Sequence, residues 1–159
     1  MNIEKHIILK LLKKSLLYRL MENINRLLSK SNADLTHREL SERMGNSANW
    51  FNDAYNNNED IAITSFARLL SVIGQKIDLN EQKLITLFDS KILKISSLIS
   101  ELTDEDERYI SNLIKSDKAI FTEILGDWAS MDFKNKLNDA EKMVMNQVRE
   151  LLLEGENVE

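Results

Sequence analysis

No proline occurs anywhere in these 159 residues. Proline is the residue that most reliably ends a helix, so a chain without one can carry helices that only caps and glycines interrupt. Glycine appears four times, too seldom to supply the tight turns that a sheet needs. The expected fold is therefore all-α. A hydrophobic content of 43% is enough for a buried core, and the length allows one domain or two small ones.

Several function classes are set aside by what is missing. The chain has no cysteine, which removes disulfides and thiolate metal sites, and its two histidines, His6 and His37, lie too far apart in sequence to suggest a zinc pair. No glycine-rich phosphate loop and no nucleophile–histidine–acid grouping is present, and the carboxylates of 104–107 read as a helix start. The expectation is a protein that is not an enzyme and needs no cofactor. The N-terminal run "IILKLLKKSLLYRL" is interrupted by Lys or Arg every few residues, so no membrane-spanning or cleaved leader segment is expected, and the expected location is cytoplasmic.

Charge is unevenly distributed. Residues 1–50 carry nine Lys/Arg against five Asp/Glu, whereas residues 80–159 carry ten against seventeen, within an overall net charge of -5. A polyanion would meet the N-terminal half, and the acidic half would face solvent or a protein.

Residues 3–31 place Ile3, Ile7, Ile8, Leu11, Leu12, Leu16, Leu20, Ile24, Leu27 and Leu28 at helical spacing, predicting one long helix or two joined near Ser15. After the polar break "KSNAD", Thr36 and Glu39 stand in capping-box spacing, and Gly45 stops the helix they open. Ser47 can cap a second short helix, "ANWFNDAYN", followed by a loop "NNNED". The segment "TSFARLLSVIG" is a further helix closed by Gly74, and Asp78 or Asn80 caps the next. Beyond it, Ile85, Phe88, Ile92, Ile95, Ile99 and Leu102 recur at alternating steps of three and four, the pattern of a heptad seam. Such a seam is either one amphipathic helix packed within the chain or an oligomerisation interface. Thr103 and Asp106 repeat the capping-box spacing, "AIFTEILGDW" reads as a helix, and "FKNKLNDAEKMVMNQVRELLLEG", from Phe133, as a last one with Leu137, Ala140, Val144, Val148 and Leu151 aligned.

A helix of about nine residues ending in glycine, with a second starting two residues later, has the spacing of a helix-turn-helix. The stretch "LTHRELSERMGNSANWFNDAYNNN" followed by "ITSFARLLSVIG" resembles the helix-turn-helix of phage Cro/CI-type repressors, the XRE family, over about residues 17–79. Leu35 and Thr36 match its leucine and capping threonine, Glu39 and Leu40 its Glu-Leu pair, Met44 and Gly45 its turn, Ser47 the serine opening its recognition helix and Phe51 its buried aliphatic residue. Ser41 stands for the usual alanine, Asn46 for a valine or isoleucine, and Ala54 or Tyr55 for a packing tryptophan. His37 occupies the place of a frequent DNA-contacting glutamine.

With Phe51 inward, Ala48, Asn49, Asn52 and Asp53 point outward. Asn49 or Asn52 could pair with adenine through amide donor and acceptor, and Asp53 could accept from cytosine. Trp50 is a candidate for stacking, and Asn57 and Asn58 for phosphate contact as the chain leaves the helix. With His37, Arg38 and Ser47 they make up the expected DNA-binding set. Arg26, Arg43 and the lysines of the first helix supply further charge.

Residues 1–79 are thus expected to form a helix-turn-helix DNA-binding domain of about five helices, and residues 80–159 a helical oligomerisation or regulatory domain. The implied function is a sequence-specific transcriptional regulator binding double-stranded DNA, with a palindromic operator, as a homo-oligomer; repressor character and a phage or mobile-element setting come from the resemblance alone. Two rivals stay open: a protein-interaction module of antirepressor or antitoxin type, and a regulator whose C-terminal helices sense a ligand or peptide effector around Phe121, Trp128 and Phe133.

Overall fold

The computed structural model describes residues 2–32, 34–57 and 60–156, and among them every regular element is helical. The protein is all-α. Chain contacts divide it into two compact units, Leu16–Leu93 and Met1–Ser15 with Lys94–Glu159. That division falls later in the chain than the boundary drawn at residue 79, and it assigns the N-terminal turns of the first helix to the C-terminal unit. Among the described residues no helix is long and apolar enough to cross a membrane.

The first unit contains most of α1 (Lys5–Lys30), with α2 (His37–Arg43), α3 (Trp50–Asn57), α4 (Ile63–Lys76) and α5 (Glu81–Leu87). α1 is continuous through Ser15, whose hydroxyl donates to the Leu11 carbonyl instead of breaking the helix. It ends where Asn32 adopts a left-handed φ of 50°, a conformation that asparagine tolerates better than most residues. Met21, Ile24, Leu40, Phe51, Leu69 and Ile73 are fully enclosed in this unit's core, and α2 packs on both α3 and α4.

Caps explain most boundaries. The Thr36 hydroxyl accepts from Glu39 N at 3.1 Å, opening α2, and Asn80 Oδ1 accepts from Lys83 N at 2.9 Å, opening α5. Gly45, at φ 81°, turns the chain out of α2 in a conformation that costs other residues energy. Gly74, expected to close α4, lies inside it instead: the helix continues to Lys76 and Ile77 is its C-cap.

The anticipated heptad seam is interrupted. α5 stops at Leu87, Phe88 leaves the helical region, and α6 (Ser90–Asp104) starts afresh with Asp89 Oδ1 accepting from Ile92 N at 3.0 Å. Asp89 is also gripped by α1, through Arg19 Nη2 at 2.7 Å and Asn23 Nδ2 at 3.3 Å. Burial pushes the Asp89 carboxyl up, but the Ile92 amide, the Arg19 guanidinium and the Asn23 amide outweigh it and hold the group below its ordinary value. A carboxyl depressed on folding adds stability above its unfolded pKa and loses it as pH falls through the folded one. The stability difference between the native chain and Asp89→Asn, about 1 kcal/mol near neutrality, should therefore shrink as pH drops below about 4; urea titrations at a series of pH values check this, and a difference that grows on acidification contradicts it.

In the second unit α7 (Ile110–Ser116) and α8 (Lys118–Trp128) pack against α10 (Asp139–Glu156), with α9 (Met131–Lys134) between α8 and α10 in sequence. Thr103 does not open a helix. It lies within α6, its hydroxyl donating to the Ile99 carbonyl, while Asp106 caps a single 3-10 turn, Glu107–Tyr109, by accepting from Arg108 N at 2.9 Å. The long C-terminal helix expected from residue 133 is divided as well. Asn138 and Glu141 form a reciprocal capping box, Glu141 N to Asn138 Oδ1 at 2.8 Å and Asn138 N to Glu141 Oε1 at 3.1 Å, and α10 begins there. Ala140, expected on the buried stripe, is exposed in its first turn.

Phe121, Trp128 and Phe133 are packed away from solvent. Trp128 Nε1 donates to Ser15 Oγ at 2.6 Å, so the indole is held as a core element with its one donor satisfied.

Candidate nucleic-acid interface

α2 and α3 meet because Ser41 is small and carries a hydroxyl. The side chain is fully buried, its Oγ donating to the His37 carbonyl at 2.8 Å and accepting from Phe51 N at 3.0 Å. The N–H of Phe51, in the first turn of α3, has no partner within its own helix and is satisfied by the neighbouring one. Alanine at 41 would fill the space and leave that donor orphaned.

Phe51 and Ala54 are fully buried, and Asn49, Asn52 and Asp53 are exposed, as the outward face of α3 requires. Ala48 and Trp50 are half-buried, and Trp50 packs against the core, so its ring is partly a structural element. Ser47 is exposed, but the entry to α3 differs from the expected one. The helix begins at Trp50, two residues later than anticipated, after a turn in which Trp50 N donates to the Ser47 carbonyl at 3.1 Å. Asn56 and Asn57 belong to α3 and not to the loop beyond it; the side chain of Asn57, and Asn58 entirely, lie outside the described residues.

His37 is the centre of the arrangement. Its ring lies 4.3 Å from that of Phe51, with Nε2 2.6 Å from Asn25 Oδ1 on α1 and Nδ1 3.2 Å from Asn52 Oδ1 on α3. An imidazolium donates to both oxygens; a neutral ring pairs with both once one amide is turned to present its Nδ2. Either way the imidazole ties three helices together and limits the rotamers of Asn52. Where the ring donates to it, the Asn52 oxygen retains a second lone pair and its nitrogen two donors, which leaves the amide able to pair with a base edge. Asn25 was not foreseen, since no local pattern links residue 25 to residues 37 and 52.

Beside this cluster an open groove of about 480 Å³ runs between α1 and the start of α2, bordered by Ser29, Thr36 and Arg38. Arg38 and Arg43 are exposed. Arg38 Nε pairs with Glu42 at 3.1 Å one turn on, an exposed pair that a phosphate could displace at little cost.

Asn46 is less comfortable. Its backbone N–H bonds Ser41 O at 3.0 Å, but the buried side-chain Nδ2 has no partner among the described residues. An unsatisfied buried donor is a net cost, so Asn46→Val should stabilise the protein by about 1 kcal/mol. A rise in the urea midpoint at unchanged slope is the expected reading, and a fall contradicts the assignment.

Of the six residues expected to form an oligomerisation seam, Ile92, Ile95 and Leu102 are buried and Ile99 is half-buried, while Ile85 and Phe88 are exposed. The break at residues 88–89 and this burial remove the continuous seam. Among the described residues of the Leu16–Leu93 unit, the large apolar side chains exposed on the surface are Ile63, Ile85, Phe88 and Leu93.

Comparison with protein-family models, with curated proteins and with solved structures found no match.

Proposed function

We propose that the chain is a sequence-specific DNA-binding transcriptional regulator in which α3 reads base edges and the start of α2 contacts the backbone. The observation that carries this is the amide pair on α3: Asn49 and Asn52 are exposed above a buried Phe51 and Ala54, and Asn52 is held from behind by His37. Amides with both donor and acceptor suit the adenine edge in the major groove. Repressor activity and a phage or mobile-element setting extend the proposal through the family resemblance.

Two copies acting together are part of the reading, because the cationic side chains near α3 are few and affinity has to be gained by avidity. The surface residues Ile63, Ile85, Phe88 and Leu93 supply the apolar contact for such pairing. The same exposed residues favour a second reading, a protein-interaction module in which the helix pair is only a scaffold.

Selection of bound sites from a random DNA pool, at a fixed near-physiological salt concentration, separates the two. A regulator enriches a palindrome whose half-sites lie about one helical turn apart, roughly 10 bp. Failure to enrich any sequence, together with binding insensitive to salt, eliminates the DNA-reading proposal.

A further inference from the structure

A second groove lies on the face of α1 turned away from His37. Residues 25, 28 and 29 border the groove beside the candidate interface, whereas residues 23, 26, 27 and 30, about half a helical turn around, border this one together with α5. Its volume is about 400 Å³, within the range of sites that enclose small molecules.

The lining is one-sided in charge. Arg26 and Lys30 from α1 and Lys83 from α5 enter it, and no carboxylate does. None of the three is ion-paired among the described residues, although the chain as a whole is acidic and pairs several of its other cations. Gln82 and Ser31 add uncommitted polar groups, while the Thr86 hydroxyl is spent on the Lys83 carbonyl at 2.6 Å. Leu27 provides an apolar floor for the body of a small organic molecule. The walls are braced: Asn23 Nδ2 donates to the Leu87 carbonyl at 3.0 Å and fixes the end of α5 to α1.

From this juxtaposition of three unpaired cations, free polar groups and an apolar floor in a braced groove, we propose that the protein binds a small organic phosphate between α1 and α5. The phosphate sits among Arg26, Lys30 and Lys83, where charge-assisted hydrogen bonds are strongest, and the rest of the molecule covers Leu27. DNA is the poorer occupant, since this face of α1 is opposite to the one beside α3. The assignment stands independently of whether α3 reads DNA.

The test uses the full chain without DNA, titrated with inorganic pyrophosphate and followed by amide NMR shifts. Saturable shifts centred on Ser31, Gln82 and Lys83 are expected, with affinity reduced about tenfold by Arg26→Gln and again by Lys83→Gln. Arg26 is exposed and Lys83 half-buried, and unchanged thermal melting verifies that the variants fold. Lys76→Gln, on α4 and outside the groove, is the control for net charge and should leave affinity within twofold. Shifts that do not saturate, that centre on residues 49–53, or that Lys76→Gln weakens as much as Lys83→Gln, overturn the proposal.

Discussion

Glu141→Ala should lower stability by about 3 kcal/mol. Glu141 is 1% exposed and ion-paired: Lys14 Nζ lies 2.9 Å from Oε1 and 2.8 Å from Oε2. The same carboxylate closes the capping box by accepting from Asn138 N. Truncation would leave a lysine only 14% exposed without its counter-charge, retaining the long 3.3 Å bond to the Lys136 carbonyl, and would remove the half of the capping box that accepts from Asn138 N. Two further variants resolve the contributions. Glu141→Gln keeps an acceptor for Asn138 and removes the charge, so its loss should be smaller; the double change Lys14→Met with Glu141→Leu removes both charges and should recover much of the loss, because an apolar pair carries no desolvation penalty. Urea denaturation measures all three, and a loss below about 1 kcal/mol for the alanine variant would mean that the pair behaves as an exposed one.

The second large effect is on DNA recognition. In the double variant Asn49→Ala with Asn52→Ala, preference for the selected operator over unrelated DNA should fall by ~1–3 kcal/mol for each amide, while the urea midpoint falls only slightly, because both side chains are exposed and the one bond lost, between His37 Nδ1 and Asn52, is itself open to solvent. The salt dependence of binding should not change, since neither residue is charged; Arg43→Gln should do the reverse, weakening all sequences alike and reducing the salt slope by about one. His37→Ala is the informative intermediate. It removes no proposed base contact, but it frees Asn52 and separates α3 from Asn25, so specificity should decline partway. If the double alanine variant still prefers the operator as the native chain does, α3 is not the reading element.

Local signals were readable wherever a residue acts on its own few neighbours. The all-α composition, the Thr36 and Asn80 caps, the left-handed turn at Gly45 and the inward direction of Phe51 and Ala54 all depend on contacts within one or two turns. The division before α10 was equally local: Asn138 and Glu141 stand in capping-box spacing, a signal overridden by the apolar periodicity that runs through it. Periodicity misled in the same way at residues 85–102. It reports which residues are apolar at helical spacing, and it is blind to a corner at Asp89 that Arg19 and Asn23 stabilise from far away in sequence.

The candidate site divides along the same line. Sequence spacing alone placed Asn49, Asn52 and Asp53 on the outer face of a short helix, because side-chain direction follows from helix geometry. Only the tertiary structure placed His37 against Phe51 with Asn25 and Asn52 at its two nitrogens, and only it placed Lys83 in one groove with Arg26 and Lys30. The physical reason is range: capping and helical periodicity act over three or four residues and leave a local trace, whereas a hydrogen bond or a shared groove between separate helices exists only once their packing has set the distance.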